Sequence, residues 1–542
     1  MRLDEITIEE FKNLRKLRVD FDEESPYTVL VGENGSGKSN FIEAITFIFR
    51  NLDLEIEAPF TYHIKYRCRG HDIEIRAQRD AYPQFWGRPS GTGEYREFPR
   101  RKFMALDEKG RPLYRPAFVF GYYSGPSDRL ASLYERHRER YYKFIIKPQS
   151  TRKGKTVDTN ALRRLFYART LHGQFALLAF FMEPNKDDGQ DERAFLREHL
   201  QIDGLDSVLF ALKRPPWRLT GNIGDPRFWK AEGEVREFLS KLYDAAMLPA
   251  RMDRRIPVDL TKNPSVECLY LFLPNPASLE RVYELYQRNQ YAFFTALEST
   301  YISKVLGEVR TRVRMTRAAG GGEVTYRDLS EGEQQLLLVL GLLRFTAEDE
   351  TLFLLDEPDT HLNPAWSTQY LGFLDRFIRQ PRSCHIVMAT HDPLVFSRLL
   401  RSQVRIFRRD PDGRVHVDVP TQDPRGMGVQ AILTSDLFRL RSTLDPDTQQ
   451  DVDMQRRLSL KKGELTREED SELQQVNARL EPLGFWKTTR DPLYELFLRK
   501  WTEREKPEWA KAVDLTPEQQ REREHLAEEI AAELAAEREI SP

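Results

Sequence analysis

The chain has 542 residues, with 83 lysines and arginines against 85 aspartates and glutamates, which gives a formal net charge of −2. This length exceeds the size at which one hydrophobic core usually stops growing, so we expect two or three substructures. Because the net charge is close to zero, overall charge gives no argument for nucleic-acid binding, and any such surface has to be a local patch.

The three cysteines, Cys68, Cys268 and Cys384, lie far apart and show no CxxC spacing. This pattern argues against a disulfide framework or a zinc site and favours a reducing compartment. The longest apolar run, which follows Gln335, is too short to cross a bilayer. We therefore expect a cytoplasmic protein with no membrane partner.

The N-terminal part predicts strands followed by a glycine-rich loop. Residues 6–21 alternate apolar and polar side chains around a turn at Lys12-Asn13, which indicates a hairpin, and a strand is predicted over residues 27–31. The string GENGSGKS follows directly, and a helix is predicted from Asn40 to about Arg50. A strand, a GxxxxGKS loop and a helix in this order are typical of a phosphate-binding loop.

The residues of this loop have distinct expected roles in holding ATP. Its glycines let the backbone curl so that N–H groups point at phosphate oxygens. Lys38 would supply a positive charge to the β- and γ-phosphates, and Ser39 a hydroxyl to Mg²⁺. The predicted nucleotide-binding residues of the loop are Gly32, Glu33, Asn34, Gly35, Ser36, Gly37, Lys38, Ser39 and Asn40.

The long segment after this helix contains prolines every few tens of residues, which excludes one uninterrupted coiled coil. Strands are predicted over residues 71–80 and 115–126, both as candidates for the ATP-binding sheet. Helical patterns over residues 158–211 and from 278 to about 317 predict a helical lid. Ordinary packing is the favoured role of these helices, ahead of any specific ligand contact.

A Ser-x-Gly turn precedes the next predicted helix, in the string LSEGEQ at residues 329–334. Ser330 and Gly332 would present a hydroxyl, backbone N–H groups and a helix dipole to a γ-phosphate. A plain helix cap, in which Ser330 pairs with Glu333, explains the same string and is the better interpretation when the string is taken alone.

Two apolar runs, residues 351–355 and 385–389, are typical of strands buried on both faces of a parallel sheet. Asp356 follows the first run and is positioned to bind Mg²⁺ through water, and Glu357 beside it can polarise the attacking water. His391 follows the second run, where a contact to the γ-phosphate is expected, although a lone histidine is more often structural. The predicted catalytic residues are Lys38, Glu357 and His391, and the predicted metal ligands are Ser39 and Asp356.

These four motifs together resemble those of the ATP-binding cassette (ABC) superfamily. GENGSGKS is similar to Walker A, LSEGEQ to the signature, LFLLDEP to Walker B and THD to the switch histidine. The opening stretch ITIEEFKNLRKLRVDF and the string DEPDTHLNP are similar to the RecF, SMC and OLD-like branch. The string AILTSDLFRLRSTLDP, with the charged helices after it, looks like ATPases of anti-phage defence operons, including the Septu and retron-associated types.

The resemblance implies an α/β fold: an ABC-type nucleotide-binding sheet with antiparallel N-terminal strands, a largely helical insertion and a helical C-terminal extension. It also implies that two cassettes bind face to face, in a homodimer or a larger assembly. Ser330 and Gly332 of one subunit would close over ATP held at Lys38 and Ser39 of the other, and Glu333 is counted with the nucleotide-binding residues. Asn363 stands where transporter cassettes carry an aspartate, and the weak candidates for the Q-loop glutamine are Gln78 and Gln84.

Four parts are predicted along the chain: lobe I of the ATPase domain with Walker A (1–130), the insertion or lid (131–318), lobe II with the signature, Walker B and switch histidine (319–440), and the C-terminal extension (441–542). Three helices are predicted in the last part. The first lies near residues 448–460 and is capped by Gly463, and the second covers residues 466–480, where Thr466 and Glu469 make a capping box. The third begins at Thr516. The final helix carries a narrow apolar stripe formed by Leu526, Ile530 and Leu534. Packing within the protein and docking of a partner are equally good interpretations of this stripe.

A local basic patch is predicted at Arg310, Arg312 and Arg314, because residues spaced by two on a strand share one face. This patch predicts DNA binding, with a GC-rich genome as the competing explanation for the many arginines. The string Asp451-Val452-Asp453 is similar to the Asp-x-Asp of OLD-type nucleases but lies in a polar predicted helix. If nucleic acid is cut, we therefore expect a partner nuclease to cut it.

The leading functional hypothesis is a dimeric, DNA-associated ATPase that uses ATP and Mg²⁺ and acts in anti-phage defence by controlling a partner nuclease. The second hypothesis is a RecF-like DNA-repair ATPase without a toxic effector. The third, the energy subunit of a transporter, is disfavoured because Lys38 and Ser330 are 292 residues apart, whereas transporter cassettes place the signature roughly a hundred residues after the phosphate loop.

Overall fold

The structure is a computed structural model in which the chain divides into two compact units, Met1–Val419 and Pro420–Pro542. The four-part division predicted from the sequence, with boundaries after residues 130, 318 and 440, stays a prediction. Strands and helices are numbered in chain order. The residues that the structure describes are 1–22, 24–108, 110–146, 163–182, 192–217, 224–255, 264–346, 350–378, 380–461, 465–485, 492–506, 508–509 and 515–540.

A seven-stranded sheet in the first unit carries the predicted nucleotide-binding motifs. Its neighbouring strands are parallel, except that the last strand in the chain pairs antiparallel at one edge. In spatial order the strands are β18 (Val415–Asp418), β17 (Val404–Arg409), β3 (Tyr27–Val31), β16 (Cys384–Ala389), β15 (Thr351–Asp356), β8 (Phe118–Tyr123) and β9 (Leu165–Tyr167). Every residue of β3, β15 and β16 is buried, as the continuous apolar runs predict.

A six-stranded antiparallel sheet holds the N-terminal hairpin, which confirms the predicted strands on both sides of Lys12-Asn13. Its strands, in spatial order, are β2 (Leu14–Asp20), β1 (Arg2–Phe11), β4 (Tyr62–Cys68), β5 (His71–Ala77), β6 (Gln84–Pro89) and β7 (Arg96–Glu97). The expectation that residues 71–80 join the ATP-binding sheet is wrong. A tight turn at Arg69 and Gly70, both at positive φ, pairs β5 antiparallel with β4 instead.

The insertion contains a third sheet, which is antiparallel and five-stranded: β11 (Ala250–Arg255), β12 (Ser265–Leu273), β10 (Ile202–Lys213), β13 (Leu306–Met315) and β14 (Glu323–Thr325). The helical predictions over residues 158–211 and from 278 to about 317 are therefore wrong over β9 and β10 and over β13. Short apolar runs such as VLFAL in β10 suit a buried strand as well as a helix, and pairing with neighbouring strands decides between them. Residues 158–162 and 183–191 of the first helical prediction lie outside the described residues.

Helices cover the sheets of the first unit. Helix α1 follows the glycine-rich loop and lies against β8, β15 and β16. The helices of this unit are α1 (Lys38–Leu54), α2 (Arg100–Phe103), α3 (Arg129–Ile145), α4 (Thr170–Phe180), α5 (Glu192–His199), α6 (Gly233–Ala245), α7 (Pro276–Leu285), α8 (Gln290–Ile302), α9 (Glu331–Thr346), α10 (Pro364–Phe377) and α11 (Pro393–Phe396).

A buried ionic cluster fixes the far end of α1. The carboxylate of Asp53 accepts hydrogen bonds from Arg115 (2.8 Å), Arg164 (2.9 Å) and His137 (3.0 Å). Burial alone would raise the pKa of Asp53, but these three donors hold it well below its ordinary value. The cluster ties the helix that follows the loop to α3 and to the segments that lead into β8 and β9.

The second unit is helical in its described residues, which confirms the predicted character of the C-terminal part. Its helices are α12 (Val429–Thr434), α13 (Pro446–Ser459), α14 (Arg467–Leu480), α15 (Pro492–Arg504) and α16 (Pro517–Ile540). The predicted capping box between Thr466 and Glu469 is present, and Gly463 lies outside the described residues. Ile530 and Leu534 are buried within this unit, which favours packing in the protein over partner docking for these two side chains. No helix in the described ranges is both long and apolar enough to cross a lipid bilayer.

Candidate nucleotide-binding site

The ends of three neighbouring parallel strands bring the predicted site together. Ala389 in β16 pairs with Leu30 in β3 on one side and with Asp356 in β15 on the other. The glycine-rich loop after β3, the histidine loop after β16 and the acidic pair at the end of β15 therefore leave the sheet side by side. The carboxyl edge of an α/β sheet is where such folds bind ligands.

The loop conformation requires glycine at its first position. Gly32 has a φ of +148°, and a Cβ there would lie 2.1 Å from the carbonyl oxygen of Phe407. Gly35 and Gly37 also have positive φ, 79° and 103°, so the loop curls as a phosphate cradle does. The hydroxyl oxygen of Ser36 is buried in the loop without a hydrogen-bond partner among the described residues, which fits a ligand that supplies one.

The ammonium group of Lys38 curls over its own loop. It donates to the carbonyl oxygens of Gly32 (2.6 Å) and Glu33 (3.0 Å). Burial lowers the pKa of Lys38 to about 8, against the opposing effect of Asp356 and Glu357. The lysine is therefore still mostly charged at neutral pH, and its present acceptors are loop carbonyls that a phosphate could replace.

Ser39 and Asp356 form a pair that fits magnesium. The Ser39 side chain lies beside the Asp356 carboxylate and lowers its pKa, but burial has the larger effect and raises that pKa to about 6. A hydroxyl and a carboxylate are hard oxygen ligands, and Mg²⁺ usually takes one or two protein ligands and fills its other positions with water and phosphate oxygens. The described residues contain no group of three or more histidine, cysteine, aspartate or glutamate side chains that could hold a metal alone.

Glu357 and His391 face each other beside this pair. The His391 Nε2 lies 3.6 Å from the Glu357 Oε1, and both side chains are 37% exposed, so water reaches them. Burial and the charge of Lys38 lower the pKa of His391, which favours the neutral imidazole. Glu357 has a φ of 54°, and a backbone outlier of this kind at a non-glycine residue is typical of functional sites.

The turn between β1 and β2 supports the loop, a role that sequence reasoning missed. The side-chain amide of Asn13 donates to the Gly35 carbonyl (3.1 Å), and its oxygen accepts from Asn40 (2.6 Å). Arg129 also donates to the Asn40 oxygen, at 3.4 Å. The only sequence signal for Asn13 was its place in the predicted turn, because the contact depends on how the two sheets pack.

A buried pair, also missed, joins the loop after Walker B to the switch histidine. The hydroxyl of Thr390 donates to the carboxylate of Asp359 and accepts from the amide of Asp392. Asp359 and Thr390 are both buried. Burial raises the pKa of Asp359 to about 7, with smaller contributions from the charges of Asp392 and Glu357. This pair fixes the residue immediately before His391.

Replacing Asp359 with asparagine should remove a pH-dependent part of the stability. The raised pKa favours the protonated, folded form, so this stability is complete below the ordinary value of 3.8 and is lost as pH rises towards 7. A shift of this size corresponds to about 4 kcal/mol at most. Thermal unfolding midpoints at pH 5 and pH 8 should therefore differ less in Asp359→Asn than in the wild-type protein.

Asp412→Asn is the matched control, because Asp412 is exposed in the turn between β17 and β18. It should leave the pH dependence of the midpoint as in the wild type. An Asp359→Asn variant whose midpoint changes with pH as much as that of the wild type would show that Asp359 is ionised in the fold.

The signature residues form a helix cap. The amide and hydroxyl of Ser330 both donate to the Glu333 carboxylate, at 2.7 and 2.8 Å, and the Glu333 amide donates back to the Ser330 oxygen at 3.3 Å. This is the capping box that the sequence offered as the alternative. Ser330 is exposed, so its two donors are also accessible to an anion from another molecule.

The signature packs on the loop after Walker B within the same chain. A Cβ on Gly332 would lie 2.4 Å from the carbonyl oxygen of His361. Gln335 donates to the Glu357 carbonyl and accepts from the His361 amide, both at 3.4 Å. These contacts connect the start of α9 to Glu357, a connection that no sequence motif indicated.

Other predicted residues lie elsewhere. Gln78 follows β5 and Gln84 lies in β6, both in the antiparallel sheet, and neither strand pairs with the strands that carry the site. Arg310, Arg312 and Arg314 share the exposed face of β13, as predicted. Asp451 and Asp453 are ion-paired with Arg479 and Arg441.

The chain is similar to known proteins in sequence and to a solved structure. The chain is 20% identical over 467 residues to the "Retron Vc95 probable ATPase" of Vibrio cholerae, covering 79% of this chain and 77% of that protein. It is 24% identical over 127 residues to the Septu protein PtuA of Bacillus mycoides, covering 22% of this chain and only 17% of PtuA. A solved structure of an Smc head bound to the C-winged helix domain of ScpA covers 77% of this chain and 98% of that chain, at 13% identity and a TM-score of 0.32.

Two family models match the chain. The model described as "AAA ATPase domain" matches residues 1–86, which include the glycine-rich loop. The model described as "AAA domain, putative AbiEii toxin, Type IV TA system" matches residues 122–397, just over half of the chain, and spans the signature, Walker B and the switch histidine. The resemblance to an ABC-type ATPase with Septu and retron relatives is confirmed, and the chain belongs to the AAA-domain family described as "AAA domain, putative AbiEii toxin, Type IV TA system".

Proposed function

We propose that this ATPase hydrolyses ATP with Mg²⁺ in a homodimer or larger assembly, contacts DNA, and acts in anti-phage defence by controlling a partner nuclease. The observation that carries the proposal is the convergence at one sheet edge of Lys38, the Ser39–Asp356 pair and the Glu357–His391 pair. These groups come from distant parts of the sequence and match the parts that phosphoryl transfer needs.

Each converging group has a defined role in this proposal. The backbone amides from Gly32 to Asn40 surround the phosphates, and Lys38 neutralises charge on the β- and γ-phosphates. Ser39 and Asp356 would hold Mg²⁺, Ser39 directly and Asp356 through water, and the bound ion would supply charge neutralisation at the phosphate oxygens. Glu357 orients and polarises the attacking water, and neutral His391 donates an N–H towards the γ-phosphate.

The exposed signature supports a site shared between two subunits. Ser330 has an amide and a hydroxyl that already hold one carboxylate oxygen of Glu333, and the same donors suit a phosphate oxygen at a helix N-terminus. In the proposed dimer, Ser330, Gly332 and Glu333 of one subunit meet the nucleotide on Lys38 of the other. Gln335 and His361 then connect that contact to Glu357 in their own chain.

The roles in defence and in controlling a nuclease rest on different support. The resemblance to ATPases of anti-phage defence operons, together with the Septu and retron relatives, supports the defence role. The carboxylates of Asp451 and Asp453 are held by arginines, which supports cutting by a partner and not by this pair. The cationic face of β13 supports DNA contact.

Light scattering with a non-hydrolysable ATP analogue and Mg²⁺ tests the shared site. We expect at least two chains per particle when nucleotide is bound, because each phosphate loop needs a signature from another chain. Ser330→Arg places a bulky cation at the cap. This variant should still bind the analogue, but a smaller fraction of its chains should form dimers or larger particles. A wild-type protein that binds the analogue and stays monomeric would contradict the shared site.

A further inference from the structure

The five-stranded sheet of the insertion has one covered and one open face. Val309, Thr311 and Val313 of β13 are buried, on the face where α6, α7 and α8 contact the sheet. The alternate residues point the other way, and Arg310 and Arg312 are 52% and 58% exposed. Within the described residues this second face is open to solvent.

Aromatic and apolar side chains lie beside the arginines on the open face. Strand pairing places Phe272, Leu209 and Arg310 in one row across β12, β10 and β13. The next row contains Tyr270, two residues from Phe272 on the same strand, and therefore on the same face. Phe272 is 39% exposed, and Met252 of the neighbouring edge strand is 53% exposed.

Positive charge exceeds negative charge on this face. Glu308 alone is shared by three guanidinium groups: Arg327 at 2.9 Å, Arg310 at 3.1 Å and Arg254 at 3.9 Å. Arg312 lies 3.5 Å from Glu323. Four arginines thus face two glutamates, and the exposed ion pairs are weak enough to exchange a carboxylate for another anion.

We propose that this open face, defined by Tyr270, Phe272, Arg254, Arg310 and Arg312, binds single-stranded DNA; the proposal rests on the DNA contact in the proposed function and gives its place and form. Arginines beside aromatic side chains on an open sheet suit a chain that carries both phosphates and accessible base faces. In a duplex the bases stack on one another and cannot stack on Tyr270 or Phe272. The surplus of arginine favours a polyphosphate over a protein surface of mixed charge.

Fluorescence anisotropy with the full-length protein and a labelled single strand of thymidines tests this site, with duplex DNA and a uridine strand as parallel probes. Arg310→Ala with Arg312→Ala should weaken single-strand binding at least tenfold and lower the slope of log affinity against log salt by about 1.4. Phe272→Leu should weaken binding about fivefold or more without changing that slope, because stacking and not charge is lost.

Arg18→Ala with Arg79→Ala is the matched control. Arg18 and Arg79 are 70% and 71% exposed, take part in ion pairs and do not belong to the open face. Their loss changes the net charge by the same amount as the loss of Arg310 and Arg312. The control should bind single strands as the wild type does. Unfolding midpoints measured for all variants identify any that fail to fold, and Phe272→Leu gives a second, uncharged test of the same face.

The outcomes separate this inference from the proposed function. A wild-type protein that binds no DNA of either form would overturn the DNA contact itself. Single-strand binding that survives both the arginine and the Phe272 substitutions would overturn only the location. Tighter binding to the duplex or to the uridine strand would overturn the choice of single-stranded DNA as the ligand. If the substitutions removed a co-purifying protein and left DNA binding unchanged, the face would be assigned to a protein partner.

Discussion

Replacing Glu357 with glutamine should slow ATP hydrolysis by on the order of 10²-fold or more while ATP binding is retained. Glutamine keeps the length of the side chain and one oxygen, but it loses the charge and basicity that polarise water. The carboxylate lies 3.6 Å from His391 and next to the Ser39–Asp356 pair, so the substitution acts where water meets the γ-phosphate. Phosphate release measures the rate, and titration with a fluorescent ATP analogue measures the affinity.

Glu94→Gln is the control for this substitution, because Glu94 is exposed in the loop before β7. It should leave both rate and affinity at wild-type values. Turnover at the wild-type rate in Glu357→Gln would remove Glu357 from the role of polarising water. Loss of ATP binding in that variant would instead assign Glu357 to the binding of nucleotide.

Replacing Lys38 with alanine should abolish hydrolysis and weaken nucleotide binding by at least about tenfold. The ammonium group is buried over the loop, where it donates to the carbonyls of Gly32 and Glu33. Alanine leaves the phosphates without their mobile cation and leaves those two carbonyl oxygens without a donor. The same two assays measure the effect.

Lys143→Ala provides the comparison, because Lys143 is an exposed lysine near the end of α3. Lys143→Ala removes one positive charge, as Lys38→Ala does, but at a position distant in sequence from the glycine-rich loop. It should change neither the rate of hydrolysis nor the affinity for nucleotide. Hydrolysis that persists in Lys38→Ala at more than a small fraction of the wild-type rate would contradict the assignment of the loop.

The meeting of the candidate site's residues at one sheet edge was predictable because each motif is short and local in the sequence. A strand, a glycine-rich turn and a helix form Walker A from consecutive residues, and the acidic pair follows directly on the buried run of β15. Parallel strands then bring these short pieces to one edge without any further information from the sequence. The backbone at Gly32 follows from the same local chemistry, and the placement of Ser39 beside Asp356 follows from the order of the parallel strands.

The sheet of the insertion was not predictable in the same way. Arg310, Arg312 and Arg314 showed the alternation of a strand, but the surrounding apolar residues also suited the end of a helix. Only pairing with β10, a hundred residues earlier in the chain, makes β13 a strand. Asn13, Asp359 and Gln335 were missed for a related reason, since each contacts a segment 22 to 31 residues away and no motif predicts that contact.

Mixing two inactive variants tests the shared site most directly. Lys38→Ala spoils the phosphate loop and Ser330→Arg spoils the signature, so a mixed dimer keeps one site with both parts intact. Equal mixing of the two chains should restore up to roughly a quarter of the wild-type number of sites, since about half of the dimers are mixed. Phosphate release from the mixture is the measurement: we predict turnover clearly above that of either variant alone. A mixture that forms mixed dimers and stays inactive would contradict a nucleotide site shared between two chains.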